Sequence, residues 1–133
     1  EDKKPILGIC LGMQLMCQKS EEGEKTGLGW FDASITKIQI KNTLKYKVPH
    51  ISWNQLIAPN ENKILKGIQS DAEFYFVHSY YVSETTKKEV LCKTTFEKEF
   101  VSAMRKDNIY GVQFHPEKSH ESGFKLLKNF AEL

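Results

Sequence analysis

Arginine is nearly absent from this 133-residue chain: Arg105 stands alone, and the other basic residues are lysines scattered along the sequence. A protein that reads bases or phosphates bidentately draws on the guanidinium fork, so no nucleic acid partner is expected. Neither charge is in excess, with Lys+Arg 19 against Asp+Glu 17, and such a balance sets up no field for an anionic membrane. Long apolar runs are missing, so nothing has the length to span a bilayer. The opening EDKKPILGIC carries too short an apolar run for a secretion signal. Cysteine is scarce: Cys10, Cys17 and Cys92 are odd in number and lack framework spacing, which fits free thiols in a reducing compartment. C-x-x-C and H-E-x-x-H are both missing, and the spacings of His115 to His120 and Cys10 to Cys17 are weak grounds for a metal site. No metal and no cofactor are therefore expected. Repeats and low-complexity segments are lacking too. What remains is one soluble, cytoplasmic domain, long enough to bury a core.

The first positive signal is GICLGMQ, Gly8 to Gln14. A cysteine between two glycines suggests a backbone too tightly turned or too crowded for a Cβ. The spacing G-x-nucleophile-x-G marks the sharp strand-to-helix turn that lifts a nucleophile above a sheet. The competing reading is a plain βα turn with an incidental core cysteine. The flanks suit either: Pro5 to Ile9 reads as a buried strand and Leu11 to Lys19 as a helix. Beyond a glycine-rich loop, Trp30 to Ile40 alternates as a strand. A short helical turn in NENKILKGI stops at Gly67, and FYFVHSYYV, Phe74 to Val82, is a third strand. EVLCKTTF, EFVSAMRK and IYGVQF follow as strands with short polar links, which implies hairpin or meander pairing. ESGFKLLKNFAEL closes as a helix, with Phe124, Leu127 and Phe130 on one face. The pattern is α/β with a mixed sheet.

A nucleophilic cysteine needs a base, and GVQFHPEKS offers one. Pro116 holds His115 extended and ends the strand. Residues two apart in extended chain point the same way, so His115 and Glu117 are expected to project together, the carboxylate orienting the imidazole. Taken alone, HPE is an ordinary surface turn. Cys17 is expected to be packed in its helix, Cys92 in its strand, His78 to be structural and His120 solvated.

With these residues in hand, the chain resembles the class I (triad) glutamine amidotransferases, and within them the glutaminase subunit of imidazole glycerol phosphate synthase of histidine biosynthesis. The resemblance runs through GICLGMQLM, SEEG, GLGWFDA, FYFVHSYYV, GVQFHPEKS and the closing LLKNF. It implies a largely parallel central sheet with flanking helices, in a flavodoxin-like three-layer fold. It implies that Cys10 attacks the side-chain amide of L-glutamine to form a thioester, with His115 moving the proton and Glu117 orienting it. The Leu11 N–H would be an oxyanion donor, and Gln14, Glu22, Ser79 and Tyr80 match positions that hold glutamine. Ammonia would pass to a TIM-barrel synthase or cyclase subunit in a heterodimer, with Trp53, Asn54 and Tyr75 near that interface. Core aromatic packing and a turn asparagine are the bland reading of those three. Ser52 stands where the family usually has glycine.

Family members are about half as long again, so the resemblance implies that residues 1–133 are the C-terminal two-thirds of one amidotransferase domain. The first strands and the loop bearing the second oxyanion donor would then lie upstream, and the chain alone is expected to hydrolyse little glutamine. Other readings stay open at this stage. They are a paralogue supplying ammonia to a sugar-modifying amidotransferase, a γ-glutamyl hydrolase or cysteine peptidase, and an inactive truncated binding subunit.

Overall fold

A computed structural model describes residues 4–21, 26–57 and 62–133. In chain order the elements are β1 (Ile6–Ile9), α1 (Leu11–Leu15), β2 (Lys19–Ser20), β3 (Ala33–Lys37), β4 (His50–Gln55), β5 (Glu73–His78), β6 (Tyr80–Thr85), β7 (Val90–Phe96), β8 (Lys98–Lys106), β9 (Ile109–Val112) and α2 (His120–Ala131). One sheet runs β1-β9-β8-β6-β3-β2 with β7 also paired to β8, while β4 and β5 form a two-stranded ribbon. Among the described residues no helix is long and apolar enough to cross a membrane.

The α/β class and the mixed sheet are as expected, but the described pairings are less parallel than the resemblance implied. β1–β9 and β2–β3 run parallel, whereas β3–β6, β6–β8, β7–β8 and β8–β9 are antiparallel. The links explain this. β7 reverses into β8 at Glu97 and β8 into β9 at Asp107–Asn108, with Glu97 and Asp107 both at positive φ. Connections this short can only make hairpins, since a parallel neighbour needs a long crossover.

Side-chain alternation along the central strands sends residues to two cores. Tyr110 and Val112 of β9 join Phe74, Phe76, Phe114 and Leu126 in one buried cluster. Gly111, between them, faces Met13 and Phe31 of the other. The second cluster is built on α1 through Met13, the first on α2 through Leu126. With both faces covered, β8 is buried without interruption from Phe100 to Met104, as a strand inside a layered sheet should be.

Four local expectations change. The first helix ends at Leu15 rather than Lys19, because Lys19 and Ser20 pair with Ser34 and Ile35. The strand read over Trp30 to Ile40 is shorter, Ala33–Lys37. FYFVHSYYV is two strands broken at Ser79, whose carbonyl accepts the Ile38 N–H (2.9 Å). In α2 the buried residues are Gly123 and Leu126, while Phe124 is 71% exposed; Gly123 is pressed against the Pro116 carbonyl and sets the helix phase.

Candidate active site

One residue turns β1 into α1. Cys10 makes the step with φ 53° and ψ −108°, a conformation costing about 1–3 kcal/mol and kept only where surroundings hold it. Its N–H donates to the Val112 carbonyl (2.7 Å), and its carbonyl accepts the Gln14 N–H (3.2 Å), the first bond of α1. The half-buried sulfur lies 3.8 Å from the Val77 carbonyl oxygen and accepts a hydrogen bond from Gln113 Nε2 at 3.6 Å. The glycine flanks differ. A Cβ on Gly8 would come within 2.8 Å of Met16 and 2.9 Å of the Gly12 carbonyl carbon, so crowding there is real. A Cβ on Gly12 would meet nothing within 4 Å, so crowding does not require this second glycine.

The other thiols are different in kind. Cys17 and Cys92 are fully buried, and burial pushes both up to about 12; a Coulombic contribution from Glu89 adds to the rise at Cys17, and a hydrogen bond with Ser102 opposes it at Cys92. Such thiols are inert at neutral pH. Cys17 lies just past the end of α1, its sulfur 3.6 Å from the Met13 carbonyl.

His115 Nδ1 is 3.0 Å from Glu117 Oε2. The contact is the expected one, but its cause is not extended chain. Residues Pro116–Lys118 form a 3₁₀ turn that carries the carboxylate back to the ring. The turn is tied to β5: the His115 N–H donates to the Tyr75 carbonyl (2.9 Å). Ser119 Oγ accepts the Tyr75 N–H (2.9 Å) and donates to the His115 carbonyl. With Nδ1 facing Glu117, Nε2 is the nitrogen left for proton exchange.

The sheet brings cysteine and histidine to one edge. β1 and β9 run parallel with Ile9 beside Val112, so Cys10 and His115 both emerge beyond the carboxyl ends of neighbouring strands, where ligands bind in open α/β sheets. β5 meets both groups, Val77 at the Cys10 sulfur and Tyr75 at the His115 N–H. Residues two apart on a strand are separated by about 7 Å, so the two anchor points are close neighbours.

The remaining expected residues divide. Gln14 is buried, and its Nε2 donates to the Tyr80 carbonyl (3.1 Å) and to Gln113 Oε1 (3.0 Å). Both amide hydrogens therefore point inward. Leu11 is the first residue of α1, where N–H groups have no intrahelical partner. Ser79 and Tyr80 lie at the break between β5 and β6. Glu22 lies outside the described residues. Trp53 pairs with Tyr75 across the ribbon, stacks on His120 at 5.1 Å between ring centres, and is 40% exposed. That is a surface cluster, not core packing, and it gives the exposed His120 a ring partner. Asn54 belongs to a strand rather than a turn, and its Nδ2 donates to the Thr95 carbonyl (2.9 Å).

Two groups were missed. Gln113, fully buried, touches the Cys10 sulfur; its position two before His115 on an alternating strand was the available signal. His78, expected to be structural, forms a buried pair with His50, which the sequence did not single out: His50 Nδ1 lies 2.9 Å from His78 Nε2, and His78 Nδ1 donates to the Tyr80 carbonyl (2.8 Å). Burial is the main cause holding His50 down to about 3 and His78 to about 4; the Coulombic effect of His78 lowers His50 further, and at His78 the Tyr80 hydrogen bond opposes the fall. Ser52 completes this group, its hydroxyl 3.1 Å from His50 Nε2. Among the described residues no group of three or more His, Cys, Asp or Glu side chains is arranged to hold a metal ion.

The sequence model of a family described as glutamine amidotransferase class-I matches residues 1–133. Imidazole glycerol phosphate synthase subunit HisH 2 of Methanococcus maripaludis is 51% identical over 130 residues, covering 98% of this chain and 63% of the relative. The HisH subunit of the same synthase from Leptospira borgpetersenii is 43% identical over 132 residues, covering 98% of this chain and 65% of its own length. The chain thus spans a little under two thirds of these curated relatives. Among solved structures, a glutamine amidotransferase from Thermotoga maritima superposes with a TM-score of 0.63 over 98% of this chain and 48% of that one, at 18% identity. That likeness speaks for the fold alone.

Proposed function

This chain belongs to the class-I glutamine amidotransferase family, and from that premise we propose that it is the glutaminase part of an imidazole glycerol phosphate synthase, acting through Cys10, His115 and Glu117. The observation that carries the proposal is the strained Cys10 turn set beside the His115–Glu117 pair along one strand, β5.

In this reading His115 Nε2 takes the Cys10 proton, and the sulfur bonds to the side-chain amide carbon of L-glutamine. The oxyanion that forms is met by the Leu11 N–H. Its collapse breaks the C–N bond, and ammonia leaves with the proton returned by His115. Water then hydrolyses the thioester, with His115 as base and Glu117 holding the ring throughout. Gln14 reaches substrate only through its Oε1, because its amide hydrogens are committed to Tyr80 and Gln113. Glu22, Ser79 and Tyr80 complete the glutamine site. The partner is a TIM-barrel synthase or cyclase subunit that receives the ammonia, docking on the face that carries Trp53, Asn54 and Tyr75. Residues 1–133 act as one domain in a cytoplasmic heterodimer.

The test is glutamate formation from glutamine by the full protein, alone and with its synthase subunit, for the unaltered chain and Cys10→Ser. Cys10→Ser should abolish turnover in the complex. Turnover that survives Cys10→Ser, or is lost in Cys17→Ser instead, would overturn the assignment.

A further inference from the structure

A glutamine amide buried against a cysteine sulfur can present either its oxygen or its nitrogen, and the difference matters for the thiol. Here the neighbours decide it. The Tyr80 carbonyl can only accept, so the Gln14 amide must turn its nitrogen toward it (3.1 Å). That same nitrogen faces the Gln113 side chain at 3.0 Å, which must therefore answer with its oxygen. The Gln113 nitrogen is left facing the Cys10 sulfur at 3.6 Å. The orientation is propagated from one backbone carbonyl, and Tyr80 is itself fixed by the donor at His78 Nδ1 (2.8 Å). Gln113 is fully buried and its own N–H is tied to the Ser102 carbonyl (2.8 Å). The donor is thus held rigidly at the sulfur.

We propose that the Gln113 side-chain amide is a catalytic residue of this site, donating a hydrogen bond to the Cys10 thiolate and stabilising it for attack. A thiol sulfur accepts weakly and a thiolate strongly, so a fixed donor favours the charged form. The donor complements His115: the histidine removes the proton, and Gln113 stabilises the charge left on sulfur. It also explains why this position is polar although Phe114 beside it and Val112 before it are fully buried and apolar. The consequence for turnover rests on the glutaminase reading; the effect on the thiol does not.

The experiment follows the thiol without substrate. In the unaltered full protein, the Gln113 side-chain amide resonance is assigned and followed against pH, alongside Cys10 alkylation by iodoacetamide. The amide should titrate with the same midpoint as alkylation. Gln113→Met, and Gln113→Asn as a shorter amide, should raise that midpoint by about one pH unit and slow alkylation at pH 7 several-fold. In the partnered enzyme kcat should fall on the order of tenfold, with KM little changed. An amide resonance flat through the titration, or an unmoved midpoint in either folded variant, overturns the proposal. If the unaltered enzyme releases no ammonia yet both thiol effects appear, the glutaminase reading fails and this inference stands.

Discussion

Replacing Gly123 by alanine sets two physical rules against each other. In an ordinary helix interior the change is favourable by about 0.5–1 kcal/mol, because alanine loses less conformational freedom. In α2 the added Cβ would lie 1.8 Å from the Pro116 carbonyl oxygen and 2.7 Å from its carbon. Neither obstacle is a flexible side-chain end. Contacts under 3.0 Å are not tolerated, so the helix and the Pro116–Lys118 turn must part by more than 1 Å. Overpacking of this kind costs about 1–3 kcal/mol, which for a domain of this size lowers the Tm by roughly 3–15 °C. The functional effect should be larger. The turn carries Glu117, whose contact with His115 is 3.0 Å, and a shift beyond 1 Å breaks it. A misplacement of that size costs on the order of 100-fold in rate. Urea unfolding and steady-state glutaminase kinetics on the partnered enzyme, well below the Tm, would measure both. Phe124→Ala, at an exposed site of the same helix, should stay within about 0.5 kcal/mol and serve as control. Gly123→Ala with raised stability and unchanged kcat would refute the claim that this backbone contact holds the turn.

The His50–His78 pair makes a pH prediction: unfolded histidines bind protons near 6.5, the folded pair only near about 3 and about 4. Stability is therefore full above about pH 6.5 and lost as pH falls toward about 4, with a slope of up to about 1.4 kcal/mol per pH unit for each ring; urea midpoints across that range should fall steeply, and less so in His78→Gln. Gly8→Ala should cost about 1–3 kcal/mol by overpacking against Met16 and Gly12, whereas Gly12→Ala, with nothing within 4 Å, should be neutral or stabilising in thermal melts. Iodoacetamide should label Cys10 alone in the native chain and all three thiols after unfolding, since Cys17 and Cys92 are fully buried; native labelling of either would contradict the burial. Glu117→Gln should keep the fold and lower turnover modestly, while His115→Asn should be far more damaging; equal losses would mean that the carboxylate does more than orient the ring.

What could be read from the sequence had local causes. β1 and the β7–β9 meander follow from apolar and alternating runs closed by short polar links, and each link encodes its own reversal. The misread elements depend on partners far away in the chain. The first helix stops at Leu15 because β3 claims Lys19 and Ser20. The aromatic strand breaks at Ser79 because His78 turns to the Tyr80 carbonyl while Ile38 takes the Ser79 carbonyl. The spacing of Phe124, Leu127 and Phe130 suggests the helical face, but Pro116 against Gly123 sets the phase and leaves Phe124 outside. Nothing within those segments announces these contacts.

The site divides along the same line, and the division explains why a short motif can be recognised before its surroundings. Turning a strand into a helix in one residue imposes a local demand: Cys10 must take a positive φ, and Gly8 must vacate the space beside Met16. Only the second demand appears as a residue type, in Gly8, while the positive φ falls on the cysteine itself, so GICLGMQ is readable by its spacing rather than by its strain. Holding the strain and using the thiol are different problems, solved by Val77, Val112 and Gln113, which reach Cys10 only through the β1–β9 register and the approach of β5. His115 and Glu117 lie between these cases. Their contact is expected on the ground that residues two apart in extended chain share a side, yet the geometry comes from a 3₁₀ turn that Ser119 and Tyr75 hold in place. Proximity in sequence was enough to predict the pair. It was not enough to predict how the pair is held, and that depends on the same strand that meets the cysteine.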